Sequence, residues 1–508
     1  MSFQKVDEIA QAKFNVEVND NRRLVGAVEH TLKKHSSRGG HTLSTHQDIF
    51  TYLIDLLKNK ELAATALKIA NQYKSYFIDK RTGCYHHTPL LIMEKVVAKR
   101  LLTLKSKSVK NSFEMDSAFF EACKDLPYRL TEKQTDAVLS SISEAVSCIT
   151  GGAGTGKTTV LRTVLKAYNY LNFKIKAIAL SGRAAMRLHQ SIGFPTSTIA
   201  TFLREEPIDD DNYIVVIDEA SMLDLSTMYK IVAHTNPNVR FLFVGDYNQL
   251  PPIGAGLILA DVVKSSVITN TELDVVQRQD ATTGIPEYSN IVKNGSMPSK
   301  LSVGHIHFHE VSLDDVASKC VLLYQQKPCG SQIVAATKKL TSEINLICQS
   351  KVNANSERLR FTQYGDMFQM DLYLHDPVLF TQNNYDAGVQ NGSLGKLISV
   401  EQSKNNYGVV KLDDTDEEIE ITKPLLDSLQ AGYCITLHKA QGSQFKRVII
   451  ALSKARMLDR AWLYTAITRS EDELHIVGTK ERFEQAVSSL SAHHIRQTYL
   501  STLLSDNV

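Results

Sequence analysis

Residues Gly151-Gly152-Ala153-Gly154-Thr155-Gly156-Lys157-Thr158 stand between an apolar stretch, Ala145-Val146-Ser147-Cys148-Ile149, and a helical pattern, Val160-Leu161-Val164-Leu165. A glycine-rich turn that closes a buried strand and opens a helix is the setting of a phosphate-binding loop. Gly151, Gly154 and Gly156 let the backbone wrap closely round a triphosphate, and the helix start presents free N–H groups. Lys157 neutralises the terminal phosphates and Thr158 can hold Mg²⁺. Gly152, Ala153, Thr155 and Thr159 complete this candidate nucleotide cradle.

Such a site needs a carboxylate for the cation and a group that activates water. Ile214-Val215-Val216-Ile217 is a continuous apolar run, as expected of a parallel strand buried on both faces, and Asp218-Glu219 follow at its carboxyl end. Asp218 is the expected Mg²⁺ partner, and Glu219 the group that orients or deprotonates water. A third run, Phe241-Leu242-Phe243-Val244, leads into Gly245-Asp246-Tyr247-Asn248-Gln249-Leu250-Pro251-Pro252. The Gln249 amide can donate to a γ-phosphate and accept from water.

Together with Asp218-Glu219-Ala220-Ser221-Met222, this segment resembles the motor core of superfamily 1 helicases, specifically the RecD-like 5′→3′ class. The resemblance extends over most of the chain. Leu130-Thr131 with Gln134 looks like the element that reads the adenine edge. Leu180-Ser181-Gly182-Arg183-Ala184-Ala185 resembles a segment lying beside single-stranded DNA, and Thr198-Ile199-Ala200-Thr201 the next such segment, with Ala200 where the family often has His. Gln277-Arg278-Gln279 and Leu463-Tyr464-Thr465-Ala466-Ile467-Thr468-Arg469 match two further elements, each with an arginine that the resemblance directs to the nucleotide. Ile435-Thr436-Leu437-His438-Lys439-Ala440-Gln441-Gly442-Ser443-Gln444 is the most specific match, with Gln444 in place of the usual Glu.

The resemblance implies an α/β fold: two RecA-like P-loop motor lobes, an SH3-like β insertion and a mostly helical N-terminal domain. It also implies residue roles. Lys157, Glu219, Gln249, Arg278 and Arg469 are the expected catalytic residues; Gln134, Gly442 and Gln444 join the loop in binding ATP. Arg183, Thr198, Thr201, Thr436 and His438 are the expected DNA contacts. Two arginines suit phosphoryl transfer because a planar guanidinium can bridge oxygens over which negative charge spreads.

A length of 508 residues accommodates about three or four units of roughly 100–200 residues each. The first, 1–125, places Ile49, Leu53, Leu56 and Leu57 at helical spacing, with a small hairpin at Tyr76-Phe77-Ile78 and Cys84-Tyr85-His86-His87, and reads as winged-helix-like. His86-His87 are expected at the surface. The first lobe is expected at 126–270 and the second at 271–360 and 424–508. Turn signals between short apolar runs make 361–423 the β insertion, in which Tyr385 is a candidate for base stacking and Asp413-Asp414-Thr415-Asp416-Glu417-Glu418 a solvated hairpin tip.

A net charge of +2 neither supports nor opposes nucleic acid, since a motor needs only a narrow basic track that it can release. Seven cysteines without a Cys-x-x-Cys pair argue against zinc and fit a reducing, cytoplasmic compartment. No apolar run reaches the roughly 18 residues of a membrane span. The first expectation is therefore an ATP- and Mg²⁺-dependent motor on single-stranded and tailed duplex DNA. Alternatives are a motor subunit or nucleotide-gated clamp partnered with a nuclease or other protein, and an ATP-driven protein remodeller. Only nine residues, Arg204 to Asn212, separate Leu203 from Tyr213, too few for two strands and a turn that could wedge a duplex apart.

Overall fold

The computed structural model describes residues 3–107, 113–275, 283–363, 366–384, 386–400 and 406–506. Arg278 and Tyr385 lie outside them.

Six parallel strands build the first lobe, in the order Thr196–Thr198, Lys174–Ala179, Tyr213–Asp218, Arg240–Gly245, Val146–Gly151, Thr269–Leu273. Every residue of Val146–Gly151 is buried, which is why this strand reads as an unbroken run rather than an alternating one. The adjacent strand Arg240–Gly245 and the next one, Tyr213–Asp218, run parallel to it and end at the same edge, so the glycine loop, Gln249 and the acidic pair share one side of the sheet.

The second lobe repeats the plan with five parallel strands: Ile306–Glu310, Ser470–Gly478, Phe445–Ala451, Ser331–Ala335 and Cys434–Thr436. From it emerges a β unit. A hairpin of Arg358–Gln363 and Asp366–Tyr373 precedes a five-stranded antiparallel sheet ordered Glu418–Glu420, Val409–Leu412, Leu394–Ser399, Pro377–Phe380, Leu429–Ala431. Phe380, Val378, Leu397, Val410 and Ile421 form its own core. This packing unit runs past both expected ends of the insertion, from Arg358 to Ala431.

The N-terminal section holds the helices Asn21–Gly39, His46–Leu57 and Lys60–Gln72 round a core of Leu24, Val28, Ile49, Leu53 and Leu67. A three-stranded sheet of Leu43–Ser44, Tyr85–His87 and Tyr76–Ile78 flanks them. Packing does not follow a cut at residue 125. The helix Thr88–Lys105 places Val97, Leu101 and Leu104 in the first lobe's core with Phe241 and Phe243, and the helix Phe113–Cys123 places Met115 and Ala118 against Val160 and Val164. The C-terminal tail also leaves the second lobe: Leu500 and Leu504 pack with Val262 and Ile268 of the first.

Arg496 secures that return. Its guanidinium donates to the carbonyls of Gly39, Pro252, Gly254 and Gly256, tying the N-terminal section to the loop after Gln249. His86, expected at the surface, is buried edge-on against Tyr499 of the same tail. No helix among the described residues is long and apolar enough to cross a membrane.

Candidate active site between the lobes

The helix Lys157–Tyr170 begins without a side-chain cap, preceded by Gly156 at φ 86° and Gly154 at φ 77°. Four other helices of this lobe are capped: Thr131, Ser181, Thr198 and Asp224 each accept from a backbone N–H of the helix they open. The uncapped start of Lys157–Tyr170 instead leaves aligned amides at the cavity wall, the geometry in which a helix end can hold phosphate. Both glycines occupy left-handed backbone that a Cβ would strain.

A cavity of about 620 Å³ opens there. Gln134, the loop residues Ala153 to Thr159, Asp218, Glu219 and Gln249 line it from the first lobe; Gly442, Gln444 and Arg469 line it from the second. Gly151 and Gly152 lie behind, where their carbonyls each accept from Lys157 Nζ at 2.7 Å. Burial pushes the Lys157 pKa down, while the carboxylates of Asp246, Glu219 and Asp218 oppose that shift. The ammonium is thus folded back on its own loop within a cluster of negative charge.

Glu219 departs from its strand at φ 50°, a left-handed conformation that is costly for a non-glycine residue and recurs where a side chain must be aimed. Asp218 beside it has its pKa raised by burial first and by the Glu219 charge second. A divalent cation between Asp218 and the exposed Thr158 would relieve both effects, so the residues present fit Mg²⁺.

Gln134 closes a capping box: its Oε1 accepts from Thr131 N at 3.1 Å, which holds the amide at the cavity wall. Tyr128 stands at the same rim with its hydroxyl 3.3 Å from Thr159 Oγ1. Arg469 spans the cleft. Nη2 donates to Gln249 Oε1 at 3.1 Å, Nη1 to Ser443 O at 3.3 Å and Nε to Thr465 O at 3.3 Å.

The five expected DNA contacts are not among the residues lining this cavity. Thr198 caps the helix Ile199–Phe202, and its hydroxyl lies 2.9 Å from that of Thr201. Thr436 precedes the helix Leu437–Ala440 without a capping hydrogen bond, and burial pushes the His438 pKa down. Arg183 is engaged. Asp414 Oδ2 lies 2.8 Å from its Nε and Oδ1 3.0 Å from its Nη2, while Phe445 lies under the guanidinium at 5.6 Å. The acidic tip of the insertion is therefore not simply solvated, as expected from its composition. Asp414 reaches the first lobe, and burial raises the Asp413 pKa.

Two contributors were not assigned roles from the sequence, although both lie in segments it singles out. Asp246 and Tyr464 meet across the cleft, the phenol donating to Asp246 Oδ2 at 2.5 Å. Beside them Leu250 N donates to Thr465 Oγ1 at 2.9 Å.

Residues 129–310 match the AAA domain family and residues 431–477 the UvrD-like helicase C-terminal domain. The ATP-dependent RecD2 DNA helicase of Deinococcus radiodurans is 25% identical over 515 residues, covering 96% of this chain and 70% of the relative. The RecBCD enzyme subunit RecD of Buchnera aphidicola subsp. Schizaphis graminum is 24% identical, covering 85% and 89%. A solved Pif1 helicase from Bacteroides, in complex with ADP-AlF3 and single-stranded DNA, overlaps at TM-score 0.47 with 18% identity, over 72% of this chain and 96% of that one. With an AAA domain ahead of a UvrD-like helicase C-terminal domain and relatives named RecD2 and RecD, the chain is an ATP-driven DNA helicase similar to the RecD-like class.

Proposed function

We propose that this ATP-dependent helicase moves 5′→3′ along single-stranded DNA and, acting alone, separates duplex only weakly. The observation that carries the motor reading is the shared cavity: Lys157 and Glu219 line it from one lobe, Gln444 and Arg469 from the other. ATP with Mg²⁺ would supply a phosphoanhydride whose terminal phosphate is transferred to water there.

Lys157 neutralises the phosphates from the loop, and Thr158 with Asp218 holds the cation. Glu219 orients the water. Gln249 and Arg469, already in contact, meet the terminal phosphate from opposite lobes, so its departure changes what holds the cleft shut. Arg278 has the same role by resemblance. Arg183, Thr198, Thr201, Thr436 and His438 form the DNA track outside the cavity, with the relatives' names supporting DNA as the polymer.

Weak unwinding follows from the segment between Leu203 and Tyr213. It contains no hairpin; Ile208 makes a single bridge to Thr235, and Asp210 pairs with Lys174 at 2.8 Å. We place the activity in the cytoplasm, in repair, recombination or defence. A second reading, a motor subunit of a larger nuclease assembly, draws support from the relative named as a RecBCD subunit.

The test has two stages. ATP turnover should rise with single-stranded DNA, and the protein should displace a label tightly bound at the 3′ end of a single strand, not one at the 5′ end, faster than it unwinds a 5′-tailed duplex. Turnover indifferent to DNA would sink the motor reading. Robust unwinding by the isolated chain would sink the weak-unwinder reading, and a nuclease that co-purifies would favour the subunit reading.

A further inference from the structure

The helix Arg460–Ile467 of the second lobe touches the first lobe through two consecutive residues. Tyr464 Oη donates to Asp246 Oδ2 at 2.5 Å, and Thr465 Oγ1 accepts from Leu250 N at 2.9 Å. Tyr464 and Asp246 are each 2% exposed and Thr465 is fully buried, so neither contact exchanges freely with water. Both anchors fall on one short segment, 246–250, which also carries Gln249.

That segment is internally stiff. Asp246 Oδ1 accepts from Asn248 N at 3.0 Å, and Asp246 O accepts from Gln249 N at 3.1 Å. Moving Asp246 therefore moves Gln249. On the other side, Arg469 follows Thr465 by four residues and donates back to its carbonyl, so the angle of the helix sets where the guanidinium points. Tyr464 also lies against the phosphate loop: a Cβ added to Gly152 would come within 3.1 Å of its hydroxyl. Burial and the neighbouring carboxylate hold the phenol protonated, as a donor needs to be.

We propose that Tyr464 is a positioning residue for ATP hydrolysis, anchoring the helix Arg460–Ile467 to Asp246 so that Arg469 and Gln249 meet the terminal phosphate in register. Tyr464 acts through Arg469 rather than on the reacting atoms. The proposal rests on the reading of the cleft as the ATP site. Its weight comes from geometry, because a misplacement of about 1 Å at a reacting centre can cost roughly 10²-fold in rate.

The experiment is a KM-against-kcat comparison with a double-mutant cycle. Tyr464→Phe keeps the ring in its pocket and removes only the donor. Turnover at saturating ATP and single-stranded DNA should fall by about tenfold, equivalent to about 1.4 kcal/mol, while KM for ATP stays within about twofold. Asp246→Asn retains an acceptor oxygen and should retain more of the rate than Asp246→Ala. Combining Tyr464→Phe with Asp246→Ala should cost no more than Asp246→Ala alone, since the two act as one unit.

Three results would overturn the proposal: unchanged turnover in Tyr464→Phe, a parallel loss of nucleotide affinity and rate, or additive losses in the double variant. Should Tyr464→Phe not fold, Thr465→Val reads the same seam through its second anchor, with the same expected split. A wild-type protein that does not hydrolyse ATP would instead defeat the reading of the cleft. Wild-type hydrolysis matched by Tyr464→Phe defeats this inference alone.

Discussion

Gln249 Oε1 accepts a hydrogen bond from Arg469 Nη2 at 3.1 Å, joining the end of a first-lobe strand to the end of a second-lobe helix across the cavity. The two partners lie 220 residues apart in the chain. A terminal phosphate between them would offer the guanidinium two oxygens in place of one amide oxygen, and the bond would be exchanged at each turnover. Arg469→Ala is accordingly expected to slow single-turnover hydrolysis by roughly 10²–10³-fold while changing nucleotide affinity far less. Affinity and single-turnover rate measured on the same preparation decide it; losses of equal size would assign Arg469 to ground-state binding.

Lys157→Ala should abolish turnover and leave most single-stranded DNA binding intact, because Arg183, Thr436 and His438 belong to other segments. Glu219→Gln should retain ATP and hydrolyse it slowly, since the amide keeps the shape that the left-handed backbone at φ 50° aims into the cavity. Equilibrium nucleotide binding beside steady-state turnover checks both. Near wild-type turnover in Lys157→Ala would refute the assignment of the loop.

The return of the C-terminal tail carries a pH dependence of its own. Glu94 Oε1 accepts from Thr42 Oγ1 at 2.7 Å and Tyr499 N at 3.0 Å, and burial, aided by the charge of Asp261, raises its pKa to about 7. Asp261, which accepts from Thr498 Oγ1 at 2.6 Å, is raised to about 7 by burial as well. Between the unfolded value near 4.5 and the folded value of about 7, the native state holds protons that the unfolded chain has lost. Stability is therefore full below that window and falls as pH rises through it. Glu94→Gln removes one titration and should flatten the decline, becoming relatively more stable than wild type at about pH 8 than at about pH 5, by on the order of 2 kcal/mol. Thermal unfolding at the two pH values tests this, and an identical pH slope in wild type and variant would refute it.

Elements made by neighbours in sequence were legible from it. The apolar run Ile214 to Ile217 with its two acids, and the glycine loop between strand and helix, carry their meaning within a few residues. The Asp246 to Tyr464 bond has no such signature: its partners lie 218 residues apart, and although each sits in a segment the sequence singles out, nothing in either segment says that the two meet. The burial of His86 is hidden from the sequence for a related reason: a histidine at a hairpin end looks exposed until Tyr499 of the returning tail covers it. The boundary at residue 125 failed as a packing boundary because amphipathic spacing shows that a helix such as Thr88–Lys105 has a buried face, not which core that face joins.

The same blindness applied to Asp414, whose run of acids reads as solvated while its partner Arg183 stands 231 residues earlier. The resulting pair is a prediction in itself. Arg183 is buried, and removing the partner of a buried charge typically destabilises by about 3–5 kcal/mol. A DNA phosphate presents the same paired oxygens to the guanidinium as the carboxylate does, so the two compete for one fork. Asp414→Asn should lower the melting temperature of the free protein and tighten single-stranded DNA binding by roughly tenfold at low salt, a change of about 1.4 kcal/mol. Added DNA should restore much of the lost melting temperature. Arg183→Ala should weaken binding and abolish the effect of Asp414→Asn in the double variant. If Asp414→Asn loses stability but binds DNA as wild type does, Arg183 is a structural anchor for the insertion and does not form part of the track.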